Sequence, residues 1–419
     1  MIRRKISLEL MRQAKDRKIS ILVGARQVGK TTLLKGIYEE LSKTCKCLFL
    51  DLDILSNYEK ISTYESLLNT VKLNGYEENK KEFFYLFLDE FQKYPNITKI
   101  MKNVYDNLNN LKIYASGSSS LLIKNEIQES LAGRKNITNI YPLDFEEFIW
   151  FKQDIKLAEG YLNMIKLRGD KLYNSLKEYN ELLKEYMVFG GYPDVVLAKS
   201  KDEKIKSLDS IFDLYVRKDL VDYLKIDKIL EMKKMIEFIA VNNGQKIKYE
   251  EISKLNSLGF KEIKDNLEIL SETFIIKIIK PFYTNKNKEI VKIPKIYFVD
   301  NGVRNYFIKN FNELNIREDS GFLFEGIVLS ELIKNNAEEI KFWQNKNEAE
   351  VDFILERDGL IAIEVKYKKE LKSADYSGLK KFKEEYQKTK ELILINLDCQ
   401  KKIEGINLIL PYSTHSLIK

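Results

Sequence analysis

The sequence is poor in the residues on which several enzyme classes depend. Its single histidine, His415, lies four positions before the last residue, which argues against a Ser-His-Asp triad, a His-ligated zinc protease and most imidazole acid–base schemes. Any metal would then sit on carboxylate oxygens, which favours Mg²⁺ or Mn²⁺. The three cysteines, Cys45, Cys47 and Cys399, form neither a CxxC pair nor an even framework, and they read as reduced thiols. Six prolines exclude long Pro-rich linkers. No uncharged apolar run approaches the roughly 18–20 residues of a membrane span. The opening MIRRKISLELMRQAKDRK returns to charge too soon for a secretory signal peptide. A soluble cytoplasmic protein is expected.

What the chain does have is enough apolar material for a packed interior, with 44% hydrophobic and 32% charged residues. Seventy basic residues against 63 acidic ones leave a net charge of +7, which permits a nucleic-acid partner without arguing for one. A length of 419 residues corresponds to two to four domains at roughly 100–200 residues each. Residues 18–150 alternate short apolar runs with helix-like segments. The runs KISILVG (18–24), CLFLDLD (47–53), FFYLFLD (83–89) and KIYASG (112–117) read as strands buried on both faces of a parallel sheet. The remaining chain divides into a charged helical stretch over 151–228, a unit over 229–315 and a helix-plus-sheet unit over 316–419.

Within the first unit, Gly24, Ala25, Arg26, Gln27, Val28, Gly29, Lys30 and Thr31 fit GxxxxGK[ST] between an apolar strand and a good helix former. Such a loop turns its backbone N–H groups toward phosphate oxygens at a helix N-terminus. Lys30 is expected to reach the β- and γ-phosphates and Thr31 to bind Mg²⁺, with Thr32 also among the nucleotide-binding residues. The run that ends in Asp89-Glu90 is expected on a neighbouring strand, with Asp89 holding Mg²⁺ and Glu90 polarising the attacking water. The Ala115–Ser120 stretch offers Ser116 as a γ-phosphate sensor, or an ordinary turn and N-cap. Arg134 reads either as a finger toward a neighbouring copy's nucleotide in a homo-oligomer or as a surface arginine.

The ordered set GARQVGKTT, FLDEFQKYPN, ASGSSSLL, LAGR and YPLDFEEF resembles the prokaryotic AAA-type ATPases related to the archaeal ATPase group. FGGYPDVV, YVRKD, KIYFVDNGVRNYF, FEGIVLSEL, EVDFIL and IEVKYKK resemble the domain of unknown function often fused behind them. The resemblance implies ATP binding and hydrolysis, and an α/β P-loop core. It supplies no substrate.

Over 229–315 the order helix, helix, helix, hairpin suits a winged helix, a reading the resemblance also suggests. Ile252 and Leu255 are expected to face inward from the second helix, and Ile263, Leu267 and Leu270 from the third. Lys286 and Lys288 would sit on the wing, near phosphates. The third helix mixes Lys261 and Lys264 with Glu262 and Asp265, which suits sequence-specific groove contact poorly.

In the last unit, Phe322, Glu325, Val328, Leu329 and Leu332 fall on one helical face, so Glu325 interrupts an apolar stripe. Strand parity sets Asp352 opposite Val351, Phe353 and Leu355, and Glu364 and Lys366 opposite Ile361, Ile363 and Val365. Paired strands would gather Asp352, Glu364 and Lys366, with Glu325 approaching from the helix. This segment resembles the PD-(D/E)xK nuclease superfamily, without its proline. The resemblance implies Mg²⁺ or Mn²⁺ on Asp352 and Glu364, with Lys366 positioning the nucleophile. The bland alternative is a solvated ion pair in which Lys366 neutralises Glu364. The expected architecture is therefore an AAA-type core, a helical connector, a winged-helix-like unit and a restriction-endonuclease-like α/β domain. Two functions suit it: a DNA-acting ATPase with a nuclease site, or an ATP-switched DNA- or protein-binding regulator whose nuclease-like fold is silent.

Overall fold

Apolar runs too short for helices become the strands of a parallel sheet in the computed structural model. It describes residues 4–78, 80–94, 96–118, 130–153, 155–164, 170–215, 220, 228–256, 258–284, 293–335, 337, 339–397 and 402–417. The chain forms two compact units. The first comprises Met1–Tyr141 with Arg217–Leu224 and Glu272–Phe274, and the second comprises Pro142–Val216, Lys225–Ser271 and Ile275–Lys419. The first unit's main segment ends at Tyr141, and most of 229–315 together with all of 316–419 lies in the second unit.

In the first unit, β1 (Ile19–Gly24), β2 (Cys47–Asp51), β3 (Phe84–Asp89), β4 (Leu111–Ser118) and β5 (Lys135–Ile140) lie in the order β2-β3-β4-β1-β5. Every pairing is parallel. The central strands β1, β3 and β4 are buried at every position, as continuous apolar runs in a two-faced sheet require. β5 has the polar sequence KNITNI and buries only Thr138 and Ile140. It is an edge strand, which is why it lacks the apolar signature of the others. Helix α1 (Lys30–Leu41) packs Leu33, Leu34, Ile37 and Leu41 inward, and its Tyr38 sets its ring edge-on to Phe49 and Phe87 at 5.6 and 5.5 Å. Helix α2 (Ile97–Asn107) buries Ile100, Met101 and Val104. Gly24 is required by contact and not by its dihedrals, because a Cβ there would lie 2.1 Å from the carbonyl oxygen of Ile140.

The second unit carries α3 (Phe145–Phe151), α4 (Ile229–Val241), α5 (Tyr249–Asn256) and α6 (Phe260–Glu272). These precede β6 (Ile276–Pro281), β7 (Lys295–Phe298), α7 (Asn301–Phe307) and α8 (Ser320–Lys334). Then come β8 (Ile340–Gln344), β9 (Glu350–Glu356), β10 (Leu360–Val365), α9 (Ser377–Glu385), β11 (Thr389–Ile395), β12 (Lys402–Ile403) and β13 (Ile406–Ile409). Eight strands form one sheet in the order β12-β13-β11-β10-β9-β8-β6-β7. β8, β9 and β10 are antiparallel neighbours, and β11 joins β10 in parallel after the α9 crossover. Trp343, Val351, Ile354, Ala362, Leu379, Phe382, Leu392 and Leu394 share one core beneath α9.

Three sequence expectations change here. The β6–β7 hairpin is no free wing, since Lys280 and Pro281 pair with Lys341 and Phe342 and carry it into the C-terminal sheet. Lys286 and Lys288 lie outside the described residues. Leu255 is 59% exposed, because α5 ends one residue later and offers no further turn to continue the Ile252 stripe. Phe322, in the first turn of α8, is 38% exposed, whereas Leu323 to Ile333 are buried all round the helix. Among the described residues no helix is long and apolar enough to cross a membrane.

The start of α8 is fixed by a buried charge cluster. Arg317 donates from Nε and Nη2 to the two oxygens of Asp319 at 2.8 Å each, and Arg304 donates to the same carboxylate. Both guanidiniums are nearly fully buried, and the arginines hold the Asp319 carboxyl down at about 2 against the opposing effect of burial. Removing the anion would leave two buried cations without a counter-charge. Asp319→Ala is therefore expected to destabilise the second unit by about 3 kcal/mol in urea unfolding, whereas an unchanged midpoint would contradict this role.

Candidate functional site

In the first unit the carboxyl ends of parallel strands meet the start of a helix, the place where such sheets hold ligands. β1 ends at Gly24, residues 25–29 turn, and Lys30, Thr31 and Thr32 open α1. Gly29 has φ +93° and open space where a Cβ would be, so the loop can bring backbone against a ligand. Lys30 is buried, and its ammonium donates to the carbonyls of Gly24 at 3.0 Å and Ala25 at 2.7 Å. Arg4, which motif reading passed over, donates to the carbonyls of Val28 and Tyr141 at 3.0 Å each and braces the loop. Thr31 is half-buried, Thr32 is exposed, and Arg26 and Gln27 are half-buried.

Asp89 ends β3 almost fully buried. β3 is not the direct neighbour of β1 that the sequence suggested, because β4 lies between them. That strand supplies two serines. Ser116 donates to Asp89 Oδ1, which leaves it committed to orienting the carboxylate. Ser118 pairs in register with Gly24, and its buried hydroxyl oxygen has no partner among the described residues. Glu90 adopts a left-handed φ of +54°, a strained conformation of the kind that clusters at working sites, and accepts a bond from Gln92. Arg134 is engaged within the unit, donating to Asp106 at 2.7 and 3.2 Å.

In the second unit, β9 and β10 pair Ile354 with Ala362 and Phe353 with Ile363, and Asp352 and Glu364 are the next residues along. Asp352 Oδ2 accepts from the Val365 N–H at 2.8 Å, and Lys366 donates to Glu364 at 2.5 Å. The Lys366–Glu364 ion pair of the bland alternative is thus present, with its carboxylate buried, and the second Glu364 oxygen has no partner among the described residues. Glu325 on α8 accepts from Tyr297 and sits 3.5 Å from the Lys295 ammonium. Lys295 also meets Glu350 at 2.5 Å. Lys295, Tyr297 and Glu350 carry no motif spacing, and only the fold brings them here.

These groups disturb one another strongly. Burial, reinforced by Asp352, lifts the Glu325 carboxyl to about 7 against the pull of Lys295 and Tyr297. Burial likewise raises Asp352, opposed by Lys295, Lys366 and the Val365 N–H. Burial and then Asp352 raise Glu364 well above the carboxylate range. For Lys366 burial acts downward, but Glu364 and Asp352 outweigh it and hold the ammonium above the usual lysine value. A buried carboxylate oxygen without a partner, beside a second carboxylate, is the donor chemistry a hard divalent cation accepts. Among the described residues no three His, Cys, Asp or Glu side chains converge as a ready-made metal cage, so protein ligation would rest on the Asp352–Glu364 pair.

Residues 16–149 match the family described as an AAA domain. Residues 16–149 form an AAA-type P-loop NTPase domain. Residues 180–314 and 320–414 match two families, each described as a domain of unknown function. An uncharacterised protein of Methanocaldococcus jannaschii is 27% identical over 87% of this chain and 77% of its own length. One of Haemophilus influenzae is 27% identical over 98% of this chain and 97% of its own. Among solved structures, a Walker-type ATPase of Pyrococcus abyssi is 16% identical, with 74% of this chain and 96% of that one aligned and a TM-score of 0.48.

Outside the NTPase domain, the raised carboxyls have a measurable consequence. With Glu325 lifted from 4.5 to about 7, the folded chain holds a proton that the unfolded chain has released. The group's contribution therefore favours folding at low pH and is lost as pH rises from about 4.5 to 7. Without added metal, wild-type stability in urea is expected to fall across that window relative to Glu325→Gln. Parallel pH profiles for the two proteins would contradict the shift.

Proposed function

We propose that the chain binds and hydrolyses ATP with Mg²⁺ at the NTPase domain and couples turnover to work on DNA, cleaving phosphodiesters at the Glu325–Asp352–Glu364–Lys366 cluster. The observation that carries the nuclease reading is Glu364 Oε2, buried and without a partner beside Asp352. At the ATP site, Lys30 exchanges two loop carbonyls for phosphate oxygens, and the 25–29 turn supplies backbone donors. Thr31 and Asp89 would hold Mg²⁺, with Ser116 fixing the carboxylate, while Glu90 orients the attacking water. In the second unit Asp352 and Glu364 would hold Mg²⁺ or Mn²⁺, which when bound polarises the scissile phosphate and activates water. Lys366 keeps its proton and positions the nucleophile. In this reading the helices α4–α6 form the DNA contact without a free wing, and the thiols of Cys45 and Cys47 suit the reducing cytoplasm.

A second reading, an ATP-switched regulator with a silent nuclease-like fold, is favoured by one feature. The Lys366–Glu364 pair at 2.5 Å already neutralises a would-be ligand, and no three-ligand cage is present among the described residues.

Phosphate release measured with and without DNA tests the engine. Lys30→Ala is expected to lose nucleotide binding. Glu90→Gln is expected to bind ATP and turn it over roughly 100-fold more slowly. Turnover by Glu90→Gln at the wild-type rate would remove Glu90 from its role. Incubation with DNA, Mn²⁺ and ATP separates the two readings: cleavage that is lost in Asp352→Ala supports the nuclease, and none by wild type leaves the regulator.

A further inference from the structure

Lys295 lies on β7, outside the strand–helix segment that supplies the other charged members of the cluster, yet its side chain ends among them. The side chain is 5% exposed, and its ammonium is 2.5 Å from Glu350 Oε1 and 3.5 Å from Glu325 Oε1. It also stands 3.5 Å from the Tyr297 hydroxyl and 5.4 Å above the Phe342 ring. The strand is pinned on both sides of this point, by the β6–β7 ladder and by an isolated bridge between Lys246 and Lys295. The ammonium is therefore delivered by a rigid element and not by a flexible surface chain. Such burial of a lysine is costly unless anions surround it, and here they do.

Charge counting gives this placement a meaning. Glu325, Glu350, Asp352 and Glu364 are the carboxylates of the cluster, and Lys295 and Lys366 are its ammonium groups. Fully ionised, the cluster carries two net negative charges, the charge that one divalent cation cancels. Lys366 is paired with Glu364, whereas Lys295 contacts Glu325 and Glu350 and acts electrostatically on Asp352 as well, and the Glu364 oxygen without a partner among the described residues is left outside both pairs. By these contacts the Glu325–Glu350 pair already holds an ammonium, while the Asp352–Glu364 pair keeps one carboxylate oxygen without a partner among the described residues.

We infer that Lys295 is a built-in counter-cation, a positioning residue that holds Glu325 and Glu350 and restricts the cluster to a single divalent ion at Asp352 and Glu364. This rests on the metal-site reading above and adds to it the number of ions and the group that sets that number. Replacing the ammonium with a small neutral side chain would leave Glu325 and Glu350 uncompensated around vacated volume, where a second cation can enter.

The test is Mn²⁺ uptake by the full-length, nucleotide-free protein, followed by the electron paramagnetic resonance signal of free Mn²⁺. Wild type is expected to take up one ion per chain and Asp352→Asn none. Lys295→Ala is expected to take up two, and Lys295→Arg, which keeps the charge, one. One ion in Lys295→Ala at wild-type affinity would overturn the inference while the metal site itself stands. No uptake by wild type, or uptake that survives in Asp352→Asn, would overturn both. Should Lys295→Ala fail to fold, Glu350→Gln decides: removing one nearby negative charge is expected to weaken the single site about tenfold. Unchanged affinity in Glu350→Gln would overturn the account.

Discussion

Charge withdrawn from water is the constraint around which both units are built. Lys30 and Asp89 in the NTPase domain, and Asp352, Glu364 and Lys295 in the second unit, are each more than nine-tenths buried. Burying such groups costs several kcal/mol apiece unless geometry supplies compensation. The fold supplies part of it. Carbonyls receive Lys30, a serine hydroxyl and the Glu90 N–H meet Asp89, a backbone N–H meets Asp352, and lysines stand beside Glu325 and Glu364. Among the described residues, the buried polar atoms left without a partner include the Ser118 hydroxyl and one Glu364 oxygen.

The two sheets create these positions by different means. In the NTPase domain all strands run parallel, so Gly24, Asp89 and Ser118 reach the same end of the sheet without any side chain having to bend toward the site. Glycine is needed at position 24 because β5 passes too close for a side chain. In the second unit an antiparallel pair sets Asp352 beside Glu364, and α8, anchored at its start by Arg304, Arg317 and Asp319, brings Glu325 to them. The hairpin from the preceding segment completes the sheet and contributes Lys295 and Tyr297. Covalent order and spatial grouping therefore part company, since Lys295, distant in sequence, ends beside Glu325 and Glu350.

Much of this was legible in the sequence, for reasons that individual residues make plain. Gly24 to Thr31 could be read because phosphate cradling fixes both glycine positions and the lysine within a few residues. Glu325 could be read because a charge that interrupts an apolar helical period is conspicuous, and Asp352 and Glu364 because strand alternation sets them opposite the apolar residues. Lys295 and Tyr297 could not, because in KIPKIYF they have the look of any strand alternating toward solvent, and only long-range pairing turns them inward. Ser118 was indistinguishable from Ser116 until the register with Gly24 and the bond to Asp89 separated them. β5 escaped notice because an edge strand needs only one apolar face. Leu255 misled for the opposite reason, since a periodic apolar residue stays exposed when its helix ends beneath it.

The most direct measurement is an anomalous difference map from crystals grown with Mn²⁺ and a non-hydrolysable ATP analogue. The account predicts one manganese beside Thr31 and Asp89 and one between Asp352 and Glu364 in every chain. A map in which either position lacks its peak, with manganese only on exposed carboxylates, would contradict it.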